Sequence, residues 1–178
     1  MLGLVKRQAK NFNDPYVTKS LYCTLVRPIM EYCAVVWMPY TKEQCNKIES
    51  VQKQFLLFAL RNLSWNHQFI LPAYENRLKL IDMDTLQNRR VILSSSFMYK
   101  LMNNNIDVDC LRQKLILNES SYATRNRHYF MNYNHSTDYG MNEPVTRLVR
   151  LFNLYFDWFQ ESSSTNIFKC KIRNKLNE

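Results

Sequence analysis

The sequence predicts an all-α protein, a helical bundle of about six to eight helices with one long irregular loop. Its 178 residues are 46% hydrophobic and 13% aromatic, which is enough apolar material for a sizeable core. The chain has only 2 glycines and 5 prolines, whereas an all-β sandwich needs glycine at many tight turns. Apolar residues instead recur every three or four positions, which is the period of an amphipathic helix.

The most apolar stretch, residues 21–37, predicts a pair of helices that is hinged at Pro28 and buried on most sides. An Asp-Pro pair at residues 14–15 marks its start, because aspartate caps helices and proline suits the first helical position. Inside the stretch, Arg27 and Glu31 are four residues apart and are expected to pair with each other.

The next predicted helix begins after a capping box at Thr41 and Gln44 and runs to about residue 62. One face is apolar and consists of Ile48, Val51, Phe55, Phe58 and Ala59. The opposite face is partly basic and consists of Lys47, Ser50, Gln54, Leu57 and Arg61. This division predicts that the helix buries one side and presents cations on the other.

The second half of the chain is also predicted to be mainly helical. Helices are expected over residues 73–80, 85–102, 107–117, 144–161 and 166–176. Asp84 would cap the longest of them, and Arg89 and Arg90 would project from its middle. Residues 118–142 lack a helical period and predict an irregular loop, in which Gly140 would adopt a turn conformation closed to other residues.

Charge predicts a polyanionic partner. The formal net charge is +9, and residues 1–70 hold 9 Lys/Arg against 4 Asp/Glu, so more than half of the excess lies there. Nucleic acid is the most common partner of such a chain, although a basic surface can also serve solubility alone. No apolar run approaches the length of about 20 residues that spans a bilayer, so no membrane partner is expected.

No constellation of catalytic or metal-binding residues is recognisable. The two glycines exclude a glycine-rich phosphate loop, and five cysteines without CxxC spacing argue against a disulfide framework or a zinc site. Asp82/Asp84 and Asp107/Asp109 have a spacing that could hold a metal, but helix capping is the favoured interpretation. Unpaired cysteines fit a reducing compartment, which predicts a nuclear or cytoplasmic protein.

Cations and aromatic rings alternate near residue 128, which is a pattern typical of single-strand binding. The residues concerned are Arg125, Arg127, His128, Tyr129, Phe130 and Tyr133. Equally, the rings could cover the core while the charges stay in water.

Four segments together resemble the region that follows the polymerase core in jockey-like non-LTR retrotransposon reverse transcriptases. They read LYCTLVRPIMEYCAVVWMPY, IESVQKQFLLFALR, RLKLIDMDTLQNRRVILSSSFMYKLMNNNID and NEPVTRLVRLFNLYFDWF, and they occur in the family's order. The second segment is similar to the family's VQKRFLRFALR, but Gln54 and Leu57 stand where that pattern has two arginines.

The resemblance implies a thumb-like helical part over residues 1–70 and a C-terminal helical extension over residues 71–178 that packs with it as one unit. The parent enzyme is an RNA-directed DNA polymerase of a transposable element, whose palm holds Mg²⁺ with a Tyr-x-Asp-Asp turn. This chain has no Asp-Asp pair. We therefore expect a noncatalytic fragment without a cofactor of its own, for which the missing palm is a further partner.

The predicted function is weak, salt-dependent binding to the backbone of RNA or an RNA–DNA duplex without sequence specificity. Seven cations are the candidate contacts: Lys47, Lys53, Arg61, Arg89, Arg90, Arg125 and Arg127. The alternative is a helical protein-interaction module or structural remnant with no nucleic-acid role, in which Leu57 and nearby apolar residues would contact protein.

Overall fold

The computed structural model describes residues 1–12, 14–61, 72–118 and 128–177, and this part of the chain is all-α, as predicted. It contains eleven helices, more than the six to eight expected. They are α1 (Leu2–Gln8), α2 (Pro15–Leu25), α3 (Arg27–Glu31), α4 (Lys42–Ala59), α5 (Tyr74–Leu80), α6 (Leu86–Met102), α7 (Asp109–Arg112), α8 (Asp138–Met141), α9 (Pro144–Leu154), α10 (Phe156–Glu161) and α11 (Thr165–Asn177). Outside them, Leu117 and Phe130 form a single antiparallel bridge.

Side-chain caps form at the predicted starts of α2 and α4. Asp14 accepts a hydrogen bond from the Tyr16 amide at 2.8 Å, and α2 begins at Pro15. Thr41 accepts from the Gln44 amide at 3.3 Å, and α4 begins one residue later. Both predictions are confirmed, because a capping oxygen satisfies an amide that the first helical turn leaves without a partner.

The helix pair over residues 21–37 exists, but its predicted burial is wrong. Val26 separates α2 from α3, and Pro28 is the second residue of α3, where a missing amide costs no helical hydrogen bond. Only three residues of the stretch are buried, namely Tyr22, Val26 and Ala34. Exposed fractions reach 57% at Ile29 and 74% at Tyr32. The pair therefore buries one narrow side and presents apolar residues to solvent.

The ends of α6 follow local signals. Thr85 accepts from the Asn88 amide at 3.1 Å, so a side-chain cap lies one residue after the aspartate expected to supply it. At the other end, Asn104 has a positive φ of 57°, and the Asn105 amide returns to the Lys100 carbonyl at 2.9 Å. Asparagine tolerates this left-handed conformation, which closes helices.

Two further predictions need correction. The helix expected over residues 144–161 is interrupted at Tyr155, which ends α9 and precedes α10. Gly140 does not have a positive φ and lies inside the short helix α8, within the segment expected to be an irregular loop. A Cβ at Gly140 would lie 2.7 Å from the Cβ and Cγ of His135. This glycine is therefore required for close packing rather than for a turn.

The chain divides into two compact units, and the division falls within α6. Unit 1 comprises residues 1–34 and 39–89, and unit 2 comprises residues 35–38 and 90–178. The boundary predicted between residues 70 and 71 lies inside unit 1, and the joint packing of the two predicted parts stays a prediction.

Each unit has its own core. In unit 1 the buried cluster consists of Val5, Tyr22, Val26, Phe55, Leu56, Ala59, Leu60, Leu78 and Ile81, with the rings of Tyr22 and Phe55 stacked at 4.1 Å. Unit 2 has two clusters, one of Met98, Leu101, Phe130, Leu148, Val149 and Phe152, the other of Ile92, Tyr99, Tyr155, Phe168 and Ile172. Burial of these side chains is the main force that holds the short helices together.

Candidate nucleic-acid interface

Helix α4 presents two of the predicted cations to solvent. The Lys47 side chain is 73% exposed and pairs with Glu43 at 2.7 Å. An exposed pair of this kind contributes little to stability and opens easily. The Lys53 ammonium lies 5.2 Å from the centre of the Tyr74 ring and is otherwise exposed. Both lysines are therefore placed where a phosphate could reach them.

Arg61 is engaged by the protein backbone. Its Nη2 donates to the carbonyl oxygens of Ala9, Lys10 and Phe12 at 3.2, 2.7 and 3.3 Å, and its Nη1 donates to the Phe58 carbonyl at 2.8 Å. The guanidinium carbon lies 3.9 Å from the centre of the Phe58 ring. These contacts connect the end of α4 with the end of α1.

Arg89 forms an ion pair rather than projecting freely. Its Nη2 donates to Glu31 at 3.0 Å, and its Nε donates to the other carboxylate oxygen of the same residue. The hydrogen bond to Glu31 raises the pKa of Arg89 above its usual value. Glu31 lies 3.8 Å from Arg27 as well, so the predicted local pair exists, but the closer partner comes from α6.

Arg90 is only 2% exposed, so the prediction that it projects from α6 is wrong. Its guanidinium carbon lies 5.8 Å from the centre of the Trp37 ring. The middle of α6 is buried on several sides, as the consecutive residues Ser94, Ser95 and Ser96 also show. A side chain enclosed in this way cannot meet a phosphate without a rearrangement of its unit.

Arg125 and Arg127 lie outside the described residues, but aromatic residues near them are described. Phe130 is 2% exposed and belongs to a core cluster of unit 2. The Tyr129 ring stacks on Phe156 at 4.8 Å, and the Tyr133 hydroxyl donates to a backbone carbonyl. These rings cover the core, which favours that alternative over a platform for unstacked bases.

At least three of the seven carboxylates of unit 1 have partners within the fold, whereas Glu43, Glu75 and Asp82 are exposed. Asp14 caps α2, Glu31 pairs with Arg89, and Glu49 accepts from the Leu86 amide at 3.2 Å and from the Tyr74 hydroxyl. Each of these carboxylates therefore accepts a hydrogen bond from an amide, a hydroxyl or an arginine within the fold. Their charge is only weakly available to screen the surface lysines.

A buried polar network adjoins Glu49. Gln52 is 0% exposed, accepts from the Tyr22 hydroxyl at 3.1 Å and donates to the Tyr74 hydroxyl at 3.2 Å and the Asp84 carbonyl at 2.9 Å. Burial raises the pKa of both tyrosines above the usual 10.0. Sequence analysis missed this network, because a glutamine on an amphipathic helix normally faces water.

Three further cations in the described part of residues 1–70 are exposed and were missed from the sequence. They are Arg7, Lys10 and Lys42. Across the residues that the structure describes, none of the three forms an ion pair. The charge excess in residues 1–70 was the signal that could have identified them, but it did not distinguish free cations from engaged ones.

Within the described ranges no three His, Cys, Asp or Glu side chains come together in a way that could hold an ion. Of the aspartate pairs noted in the sequence, Asp107 and Asp109 lie 3.4 and 3.8 Å from Arg112. None of the helices in the described ranges combines the length and the apolar character needed to cross a membrane.

Comparison with protein families, curated proteins and solved structures finds no match to this chain.

Proposed function

We propose that this chain is a noncatalytic helical module that binds the backbone of RNA or an RNA–DNA duplex weakly and without sequence preference. The observation that carries the proposal is the group of exposed cations in unit 1, namely Arg7, Lys10, Lys42, Lys47 and Lys53. Asp14, Glu31 and Glu49 have partners inside the fold. The exposed cations of α1 and α4 are left largely without carboxylate partners, and such an arrangement attracts phosphates through counterion release.

The geometry supports a cationic strip along α4. Lys42 and Lys53 are three helical turns apart, so they share one side of the helix at a separation of about 16 Å along its axis. Lys47 points about 140° away from Lys42 around the helix axis, at the other edge of the exposed side, and its exposed partner Glu43 holds it only weakly. At the far end of α4, the contacts of Arg61 bring the end of α1, with Arg7 and Lys10, beside the strip.

The family resemblance supports the same proposal. In a jockey-like reverse transcriptase the corresponding region would hold template and primer beside a palm that supplies Mg²⁺ and catalysis. We infer that the polymerase activity belongs to that palm, which would be a partner of this module in the nucleus or cytoplasm. The chain's own contribution is the backbone contact made by Lys42, Lys47 and Lys53, together with Arg7 and Lys10.

A titration of a fluorescently labelled RNA–DNA hybrid tests the proposal. Anisotropy measured from about 50 to 200 mM salt should show an affinity that falls as salt rises, because each phosphate contact adds about 0.9 to the slope of log K against log salt. The variant Lys42→Ala/Lys53→Ala should lower that slope by up to about 1.8.

A matched variant controls for net charge. Lys100→Ala/Lys114→Ala removes two exposed lysines from unit 2 and should leave the slope nearly unchanged. Binding that is undetectable at the lowest salt, or indifferent to salt, would refute the proposed function. Equal losses in the two double variants would show that overall charge, rather than α4, attracts the hybrid.

A specific observation favours the second candidate, a protein-interaction module. Helices α2 and α3 and the residue after them expose four apolar residues at intervals of eight, four and three positions, namely Val17, Leu25, Ile29 and Tyr32 at 40%, 43%, 57% and 74%. Contiguous exposed apolar surface is typical of protein contacts. Under this candidate the hybrid would not bind even at low salt. Ile29→Lys, which breaks the series, would then weaken association with the partner.

A further inference from the structure

We propose that Arg61 is a positioning residue, which holds the cations of α1 beside α4 instead of contacting phosphate itself. This inference rests on the proposed function, because it concerns how the same surface is assembled. Sequence analysis assigned Arg61 to the phosphate-contacting face of α4, together with Lys47. The hydrogen bonds of its guanidinium point to a different role.

The guanidinium of Arg61 is directed at the end of α1. Among the described residues its carbonyl acceptors include Ala9, Lys10 and Phe12, and the shortest of these contacts is 2.7 Å, to Lys10. Ala9 is the C-terminal cap of α1, and the partial negative charge at the end of a helix favours a cation there. A further acceptor, the Phe58 carbonyl, lies in α4 itself. Arg61 thus joins the ends of two helices.

Helix α1 depends on such a connection. It has only 7 residues, and an isolated helix of that length is unstable in water. Its apolar anchorage is small, since Val5 is its one buried residue and Leu2 packs partly buried against the same core. Loss of the Arg61 contacts would release the end of the helix.

Two cations, Arg7 in the last turn of α1 and Lys10 just after the helix, are adjacent to the bound carbonyls. Lys10 is itself one of the acceptors through its main chain, while its side chain is exposed. Arg7 lies in the last turn of α1 and is exposed as well. If α1 is released, both charges become attached to a flexible segment, and their alignment with α4 costs conformational entropy on binding. Arg61 therefore contributes to binding through Arg7 and Lys10.

A double-mutant cycle separates positioning from direct contact. The salt slope of hybrid binding is measured for the wild type, Arg61→Ala, Arg7→Ala/Lys10→Ala and the triple variant. Positioning predicts that Arg61→Ala lowers the slope by up to about 1.8, as the α1 double variant does, and that the triple variant loses nothing further. Direct phosphate contact by Arg61 predicts additive losses, which would overturn the inference.

Amide hydrogen exchange provides a readout that does not need nucleic acid. In Arg61→Ala the amides of residues 5–9 should exchange faster, while those in the middle of α4 keep their protection. Unchanged protection in α1 would refute the tether. If Arg61→Ala does not fold, Arg61→Lys enters the same cycle, because a lysine keeps the charge but cannot reproduce the forked donors.

The outcomes distinguish this inference from the proposed function. If the wild type does not bind the hybrid, the proposed function fails, and this inference with it. If the wild type binds with a salt-dependent affinity and the cycle is additive, only the role given to Arg61 is wrong.

Discussion

Introducing two arginines on the exposed side of α4 should strengthen nucleic-acid binding by a calculable amount. Gln54 is exposed and Leu57 is 47% exposed, and both follow Lys53 along the cationic side of the helix. Under the proposed relationship to the reverse transcriptase helix, both positions would carry arginine. Each new contact should add about 0.9 to the salt slope, so Gln54→Arg/Leu57→Arg should add about 1.8.

That change in slope is readily measured. Over a fourfold dilution of salt, from about 200 to 50 mM, a slope increase of about 1.8 means that affinity rises about 12-fold more than in the wild type. The assay is the anisotropy titration with the labelled RNA–DNA hybrid, repeated at four salt concentrations. Thermal unfolding should change little, because substitutions at exposed positions usually alter stability by less than about 0.5 kcal/mol.

A control of the same chemistry tests whether position matters. Gln113→Arg/Leu154→Arg makes the same exchanges at exposed positions of unit 2, where Leu154 is 69% exposed. The wild-type slope should persist in this control. If the control gains as much as the α4 variant, or if the α4 variant gains nothing, the assignment of the binding surface to α4 is wrong.

Three further predictions concern stability. Glu31→Gln should lower the free energy of unfolding in urea by about 2–3 kcal/mol, because it leaves the half-buried Arg89 without its carboxylate. A loss below about 0.5 kcal/mol would contradict the importance of this pair. Gly140→Ala should lower the melting temperature, because the new methyl group would lie 2.7 Å from the Cβ and Cγ of His135. The control Gly3→Ala meets nothing within 4 Å, so it should leave the melting temperature unchanged or raise it. Burial raises the pKa of Tyr22 above 10.0, so the folded state resists its ionisation. Stability should therefore fall as pH rises above about 10, and Tyr22→Phe should reduce that fall in urea titrations at pH about 8 and 11.

Local sequence determined the boundaries of several helices. The Asp14 and Thr41 caps lie where the pattern places them, and Ser164 accepts from the Ile167 amide at 3.4 Å at the start of the last helix. Such caps involve residues two or three positions apart, so their energies depend little on the rest of the fold. Helix type and starting points could therefore be predicted without any knowledge of packing.

The candidate site depended much more on distant contacts. Lys47 and Lys53 could be assigned to an exposed side of α4 from the helical period alone. The role of Arg61 could not, because its acceptors just after α1 are 49 to 52 residues away in the sequence. A basic residue on an amphipathic helix has the same appearance in sequence whether it faces solvent or a neighbouring helix end.

The adjacent arginines of α6 show most clearly what local sequence determines and what distant contacts determine. The amino-acid sequence by itself determined that Arg89 and Arg90 are helical and that their side chains point about 100° apart, because the helix turns by that angle per residue. Tertiary structure alone decided that Arg89 meets Glu31 across 58 residues of chain and that Arg90 is enclosed at 2% exposure. The physical reason is that helical periodicity specifies directions around an axis, whereas the identity of what lies in each direction is set by packing of distant segments.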